Sequence, residues 1–309
     1  MMNVVSFLHA AIIAGTPLLL ATLGEILTEK VGNLNLGVEG MMLLGAVMGF
    51  IVGYSTGSPY LALLAAIVAG GFGGFIFGAL TVTLRANQVV TGLTLTIFGT
   101  GMSSLLGQKV VGQVVPEGIK NFFAPMPIPL LSKIPYIGPI LFTQDIFVYI
   151  SYLLAIVIGI YIYNTKAGLN LRAVGENPAS ADAVSINVGL YKYINIVLGG
   201  ALAGLGGAYL SLVYVPAWQE NIVAGRGWIA VALVIFAAWN PYKAILGAYL
   251  FGGLDIIGFR LGKVAINQYF LSMLPYLVTI VVLVFVSAKK SKKNSPPKGL
   301  GNNYFREER

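Results

Sequence analysis

Asn87, Gln88, Thr91, Thr94 and Thr96 place two amides and three hydroxyls within ten residues of a largely apolar chain. Amides and hydroxyls can read a neutral polar ligand without the cost of burying a charge. Threonine hydroxyls can also turn back to their own helix carbonyls. Phe98, Trp218 and Trp239 offer flat rings that could stack on a sugar or a base, or lie at a membrane interface. Charges near the apolar stretches are few: Glu25, Glu39, Arg85, Asp255 and Arg260. A charge inside lipid costs several kcal/mol, so each needs a partner or a wet cavity. Glu39 follows Asn33, Asn35 and Gly37 in NLNLGVEGMM, which predicts an irregular lead-in to a helix. It could meet a substrate or a gate, or make a hydrogen bond that closes the bundle. Asp255 and Arg260, five apart, are expected to form an ion pair. Asn35, Glu39, Asn87, Gln88, Thr91, Thr94, Phe98 and Trp239 are therefore the candidates for a ligand path.

Several kinds of chemistry are absent from the sequence. There is no G-x-x-x-x-G-K-[ST] phosphate loop. Gly204-Leu-Gly206-Gly207-Ala-Tyr209 fails G-x-G-x-x-G at its last position. His9 is the sole histidine and cysteine is absent, so a histidine or thiolate metal site cannot be built from one chain. No nucleophile elbow or H-E-x-x-H appears. No catalytic residue, metal or cofactor is expected in this chain.

The elements that must position the candidates are membrane helices. The 309 residues are 57% hydrophobic and 10% charged, with a mean hydropathy of +0.83. Soluble domains carry about 25% charged residues, so the fold class is all-α, a polytopic transmembrane bundle. A span needs about 20 apolar residues. Candidates lie at 7–24, 34–54, 60–84, 89–107, 146–163, 193–215, 228–239, 244–259 and 269–287. The count is about nine spans, within a range of eight to ten. The seventh and eighth read as a tight helical hairpin. The first lacks a basic leader and runs on into further spans, so it reads as a span rather than a cleaved signal.

Lys289, Lys290, Lys292 and Lys293 mark a cytosolic C-terminus. Counting back puts Arg85, Lys166, Arg172, Lys192, Lys243 and residues 25–33 on the same side. The net charge of +8 is then explained by basic loops and lipid contact rather than by nucleic acid. Residues 1–288 form the transmembrane domain, with a polar loop at 164–192 and a long, proline-rich outer loop at 108–145. Phe122, Phe123, Leu130, Leu131 and Ile134 predict that the outer loop packs on the bundle. Residues 289–309 read as a basic, disordered tail. Gly45, Gly49 and Gly53 recur every four residues, as do Gly70, Gly74 and Gly78, with Gly200 and Gly204 at the same spacing. Each set lines one helix face and lets a neighbouring backbone come close. Such a face could pack the bundle or slide within it.

The loop at 164–192 carries its own helix signal. Asn177 can cap and Pro178 suits the first helical position. Ala179, Ala181 and Ala183 favour a short helix, and Gly189 can end it. A short helix of small residues in the cytosol suits docking to a soluble partner.

Three segments together carry a family resemblance: GEILTEKVGNLNLGVEGMMLLGA from Gly24, RAVGENPASADAVSINV from Arg172, and GRGWIAVALVIFAAWNPYKAILGAYLFGG from Gly225. They resemble permease subunits of binding-protein-dependent ABC importers, in the branched-chain amino acid, ribose and nucleoside permease family. The pattern is most similar to the simple-sugar and nucleoside branch, over about residues 24–287. The family's G-x-N-P-x-A-A stretch is matched from Gly175, with Ser180 and Ala181 standing where two alanines are common. The resemblance implies that Gly175, Glu176, Asn177, Pro178, Ala179, Ala181 and Asp182 belong to a coupling helix that docks on an ATPase. It further implies an ABC ATPase subunit that holds ATP and magnesium, a second and different permease chain, and an extracytoplasmic substrate-binding protein. The expected activity is nucleoside uptake across the cell membrane. The alternatives are simple-sugar uptake or an ion-coupled secondary transporter using Glu39 or Asp255.

Overall fold

The computed structural model describes residues 4–261, 273, 274, 277–281, 284 and 295–306. In chain order its helices are α1 (Val4–Lys30), α2 (Val38–Thr56), α3 (Pro59–Gly78), α4 (Gln88–Gly107), α5 (Glu117–Phe122), α6 (Ile137–Leu141), α7 (Ile146–Asn164), α8 (Lys166–Glu176), α9 (Pro178–Ala183), α10 (Val188–Tyr209), α11 (Arg226–Phe236) and α12 (Pro241–Leu261). π-helical turns extend α3 over Ala79–Thr83 and α10 over Leu210–Tyr214. No β-sheet occurs among the described residues, and a single bridge joins Val114 to Ala217. The all-helical expectation therefore holds.

The described residues do not confirm the expected span count. Among the described residues six helices are long and apolar enough to cross a membrane, where about nine spans are expected over the whole chain. The stretch at 228–239 folds as α11, which is 11 residues long. At 1.5 Å per residue it covers about half of a bilayer core. The ninth candidate, 269–287, lies largely outside the described residues.

Glycine decides which helices are central. α2 and α10 are each 72% buried over their most apolar stretch, against 28% for α4. A Cβ on Gly45 would collide with the backbone of Gly204, and one on Gly70 with Gly200 and Gly204. Gly49 faces Ala66 and Ala208, Gly53 faces Ala62, Gly74 abuts the Ile196–Val197 backbone, and Gly78 meets the Tyr193 ring. α2, α3 and α10 thus meet along one seam of missing side chains. Without a hydrophobic drive between helices in lipid, such close backbone contact is what holds them. α1 packs on α10 through Gly24 and Gly199, and on α12 through Gly15 and Gly252.

α11 enters the bundle from the middle. Trp218 lies against Gly107 at the far end of α4, and its carbonyl accepts from the Gly112 N–H. The chain then descends, with Asn221, Ala224 and Gly225 at positive φ, before Arg226 begins the helix. α11 runs alongside the second half of α1: Thr22 donates to the Ala230 carbonyl and the Trp239 indole donates to Glu29. Irregular backbone at this depth is tolerated only inside protein or beside a wet cavity.

The structure bears on three more expectations. Residues 25–30, expected in a loop, are the last turns of α1, and Glu25 and Glu29 are buried. Asp255 pairs with Arg226, at 3.0 Å across 29 residues, while the side chain of Arg260, its expected partner, lies outside the described residues. Of the outer loop, Ile119 and Phe123 do pack into the core, but Leu130 is 84% exposed, and Leu131 and Ile134 are exposed too.

Candidate coupling site and the polar cluster behind it

Asn177 is the hinge of the loop between α7 and α10. Its N–H closes α8 on the Ala173 carbonyl, and its side chain accepts the Ser180 N–H to open α9. The extended backbone of Asn177 (φ −152°, ψ 93°) turns the chain between the two helices. Pro178 takes the first position of α9, where no N–H is missed. α9 is shorter than the sequence predicts. It stops at Ala183, Ser185 has a φ of 66°, and Asn187 already caps α10. Gly189 therefore lies within α10 and does not end the short helix.

Ala181 seats α9. It is buried in a small apolar cluster with Val31, Leu171, Val174 and Val188. Gly175 fixes the elbow, because a Cβ there would collide with the Lys30 carbonyl at the end of α1. The other side of α9 is open: Glu176, Asn177, Ala179, Ser180, Ala183 and Val184 are exposed, Val184 to 70%. The site thus has a buried side on α1 and α10 and a small-residue side free to meet a partner.

The segment at 295–306, expected in a disordered tail, lies across this face. The Gly299 N–H donates to the Gly175 carbonyl at 2.9 Å, and the Gly301 N–H to Gly32 at 3.3 Å. The Asn303 amide donates to the Arg85 and Ala86 carbonyls, and its oxygen accepts from Gln88 at 3.1 Å. Tyr304 donates to Asp182, and Arg306 pairs with the same carboxylate at 3.1 Å. Phe305 lies under the Arg85 guanidinium. The strap ties α9 to the turns before α2 and α4.

Behind the site sits a buried polar cluster. Glu25 accepts the Asn35 N–H (3.1 Å) and side-chain amide (3.3 Å), and Asn35 in turn accepts the Gly37 N–H at 2.8 Å. Gln88 accepts the Leu34 N–H at 2.7 Å. Glu39 caps α11 from 186 residues away: its two oxygens accept the Gly225 and Gly227 N–H groups, each at 2.7 Å. A carboxylate at a helix N-terminus satisfies orphan donors and opposes the helix dipole.

The eight ligand-path candidates therefore separate into two groups. Asn35, Glu39 and Gln88 are buried and engaged with backbone or the strap, and Trp239 is buried on Glu29. Asn87 caps α4 through the Val90 N–H, and Thr91 bonds the Asn87 carbonyl. Thr94 bonds the Val90 carbonyl, yet it and Phe98 are exposed one turn apart on the open face of α4. Two buried acids escaped the sequence reading. Asp145 caps α7 through the Val148 N–H and accepts from Tyr209. Its place before an apolar run is the signal that could have found it. Glu29 gave no such signal. Among the described residues no three His, Cys, Asp or Glu side chains gather as a metal site.

Glu39→Ala strips two N–H groups of their acceptor at the mouth of α11. Each buried donor left unpaired costs about 1–3 kcal/mol. The expected result is a marked fall in melting temperature in detergent, with Glu39→Gln, which keeps one acceptor, falling less. Equal melting of all three proteins would remove the cap from the account.

The comparisons with known proteins agree with this architecture. The family model described as "Branched-chain amino acid transport system / permease component" matches residues 7–285. A putative glucose ABC transporter permease of Haloferax volcanii, TsgC13, is 36% identical over 97% of each chain. The nucleoside ABC transporter permease NupC of Lactococcus lactis subsp. cremoris is 34% identical over 99% of each chain. The guanosine ABC transporter permease NupQ of Bacillus subtilis is 32% identical over 93% of this chain and 94% of its own. Among solved structures, an inward-facing putative metal-chelate type ABC transporter shares the fold, with a TM-score of 0.51 over 92% of this chain and 85% of that one, at 15% identity.

Proposed function

The chain belongs to the branched-chain amino acid transport system permease family, and we propose that it is the membrane subunit of an ATP-driven importer of nucleosides. The observation that carries this reading is α9: a capped six-residue helix, seated on one side and open on the other, beside the ends of α1 and α10. A separate ATPase subunit binds ATP and magnesium and docks there, on the cytosolic side. Its closure moves α9, and through Gly175 and Gly32 the end of α1. A second, different permease chain completes the path, and an extracytoplasmic binding protein delivers the substrate. The chain itself performs no catalysis, sits in the cell membrane and keeps its C-terminus in the cytosol.

Nucleoside is favoured by two relatives that are named for nucleoside and guanosine transport. Thr94 and Phe98, on the open face of α4, supply a hydroxyl and a ring suited to a sugar bearing a base. A simple sugar is the second reading, favoured by the glucose name of the Haloferax relative. An ion-coupled carrier would need a free carboxylate. Glu39 is taken by α11 and Asp255 by Arg226, which argues against that reading.

Purification of the tagged chain in mild detergent is expected to bring down an ATPase and a second permease. Added binding protein with a nucleoside is expected to raise ATP hydrolysis, and glucose is not. Stimulation by glucose alone would replace the substrate. A lone chain whose uptake follows an ion gradient would overturn the class.

A further inference from the structure

We propose that the face carrying α9 holds a phosphate-binding site, built at the N-terminus of α10 around Lys192. A cavity of about 490 Å³ opens there, bounded by Arg85, Asp182, Asn187, Gly189, Lys192 and Arg306. Lys192 is 4% exposed, lines the cavity, and has no hydrogen-bond or ion-pair partner among the described residues. A buried ammonium is costly unless something pairs with it. Every other side of Lys192 is protein, so the partner has to come through the cavity.

The helix end beside it is also unclaimed. Asn187 takes the Leu190 N–H with its side chain and the Tyr191 N–H with its carbonyl. The Val188 and Gly189 N–H groups have no acceptor among the described residues, and both residues line the cavity. Helical side chains lean toward the N-terminus, so Lys192, one turn on, reaches back over these two donors. Arg85 and Arg306 also line the cavity, Arg85 over the Phe305 ring and Arg306 paired with Asp182. The one carboxylate there, Asp182, is already held by Tyr304 and Arg306. An ammonium, two backbone donors and the Arg85 guanidinium call for an anion with several acceptor oxygens. The volume leaves room for a phosphate ester as well as the bare ion. Two sources carry that group: an anionic lipid headgroup at the membrane surface, or soluble phosphate in the cytosol. Either would bridge the start of α10, the turn before α4 and the strap. This site does not depend on the nucleoside reading.

The test uses the full chain, stripped of phospholipid in detergent, and follows thermal melting. One arm adds inorganic phosphate against chloride at equal ionic strength. The other adds phosphatidylglycerol against phosphatidylcholine. At least one phosphate source is expected to raise the melting temperature of wild type, and the arm that responds identifies the source. Lys192→Met is expected to fold, since it removes an unpaired buried charge, and to weaken the apparent affinity about tenfold or more. Lys192→Arg is expected to keep the response. Arg85→Gln, at the exposed end of the donor set, is expected to weaken it without touching the buried lysine. No response of wild type in either arm, or an undiminished response of Lys192→Met, overturns the site.

Discussion

Gly45→Val leaves the bundle unable to close. A Cβ at residue 45 would overlap the Cα, carbonyl carbon and oxygen of Gly204, all of them backbone. No rotamer change can clear that overlap, so α2 and α10 must separate. The same α10 surface also receives Gly70 of α3, so the displacement opens a second crossing. Overpacking of a soluble core costs about 1–3 kcal/mol when side chains can yield. Here they cannot, and the loss is expected to exceed about 3 kcal/mol, a large part of the 5–15 kcal/mol that holds a typical domain. The expected outcome is a loss of monodisperse protein on size exclusion and a collapse of the melting transition. Gly101→Ala is the matched control, because a Cβ there meets nothing within 4 Å. A Gly45→Val protein that elutes and melts like wild type would mean that the α2–α10 crossing is not as drawn.

The glycine faces of that crossing, though not which helix meets which, were legible from sequence because their cause is local. Glycines four apart mark one face of one helix, and a face without side chains lets a neighbouring backbone come close in lipid. The cap of α9 was legible for the same reason: Asn177 and Pro178 act on the residues that follow them. What the sequence hides is long-range. Glu39 is separated by 186 residues from the N–H it caps, and Asp255 by 29 from Arg226. No periodicity announces either partner. Composition misled at the tail as well. Polar, glycine-containing residues 295–306 predict disorder, but their own amides and hydroxyls find carbonyls and a carboxylate left open at the ends of α1, α8 and the turn before α4. At the seventh candidate span the reading missed because hydropathy measures apolarity and not depth. The stretch at 228–239 is as apolar as a span, yet it begins in mid-bundle on the Glu39 cap. For the ligand path, the hydroxyl run of α4 was read correctly as polar, but the hydrogen bonds of Thr91 and Thr94 to their own helix show where much of that polarity goes.

Ala179→Arg and Ala181→Glu strike α9 from its two sides and separate docking from seating. Ala179 is exposed beside Pro178, so an arginine there adds bulk and charge to the open face with no cost to the fold. Its melting temperature is expected to match wild type within the small range of surface substitutions, about 0.5 kcal/mol. Ala181 is 2% exposed among Val31, Leu171, Val174 and Val188. A glutamate there would bury a charge without a partner, so α9 is expected to leave its seat. With wild-type ATPase and binding protein present, both variants are expected to lose transport and substrate-stimulated ATP hydrolysis at least about tenfold, equivalent to 1.4 kcal/mol of lost docking or coupling. They differ in the cause. Ala181→Glu should expose the α8–α9 elbow to proteolysis in the isolated chain, and Ala179→Arg should not. If Ala179→Arg assembles with the ATPase and transports at the wild-type rate, the open face of α9 does not transmit the ATPase motion. The contact would then have to run through another part of the same surface, and the strap across Asp182, Gly175 and the turn before α4 is the next element positioned to carry it.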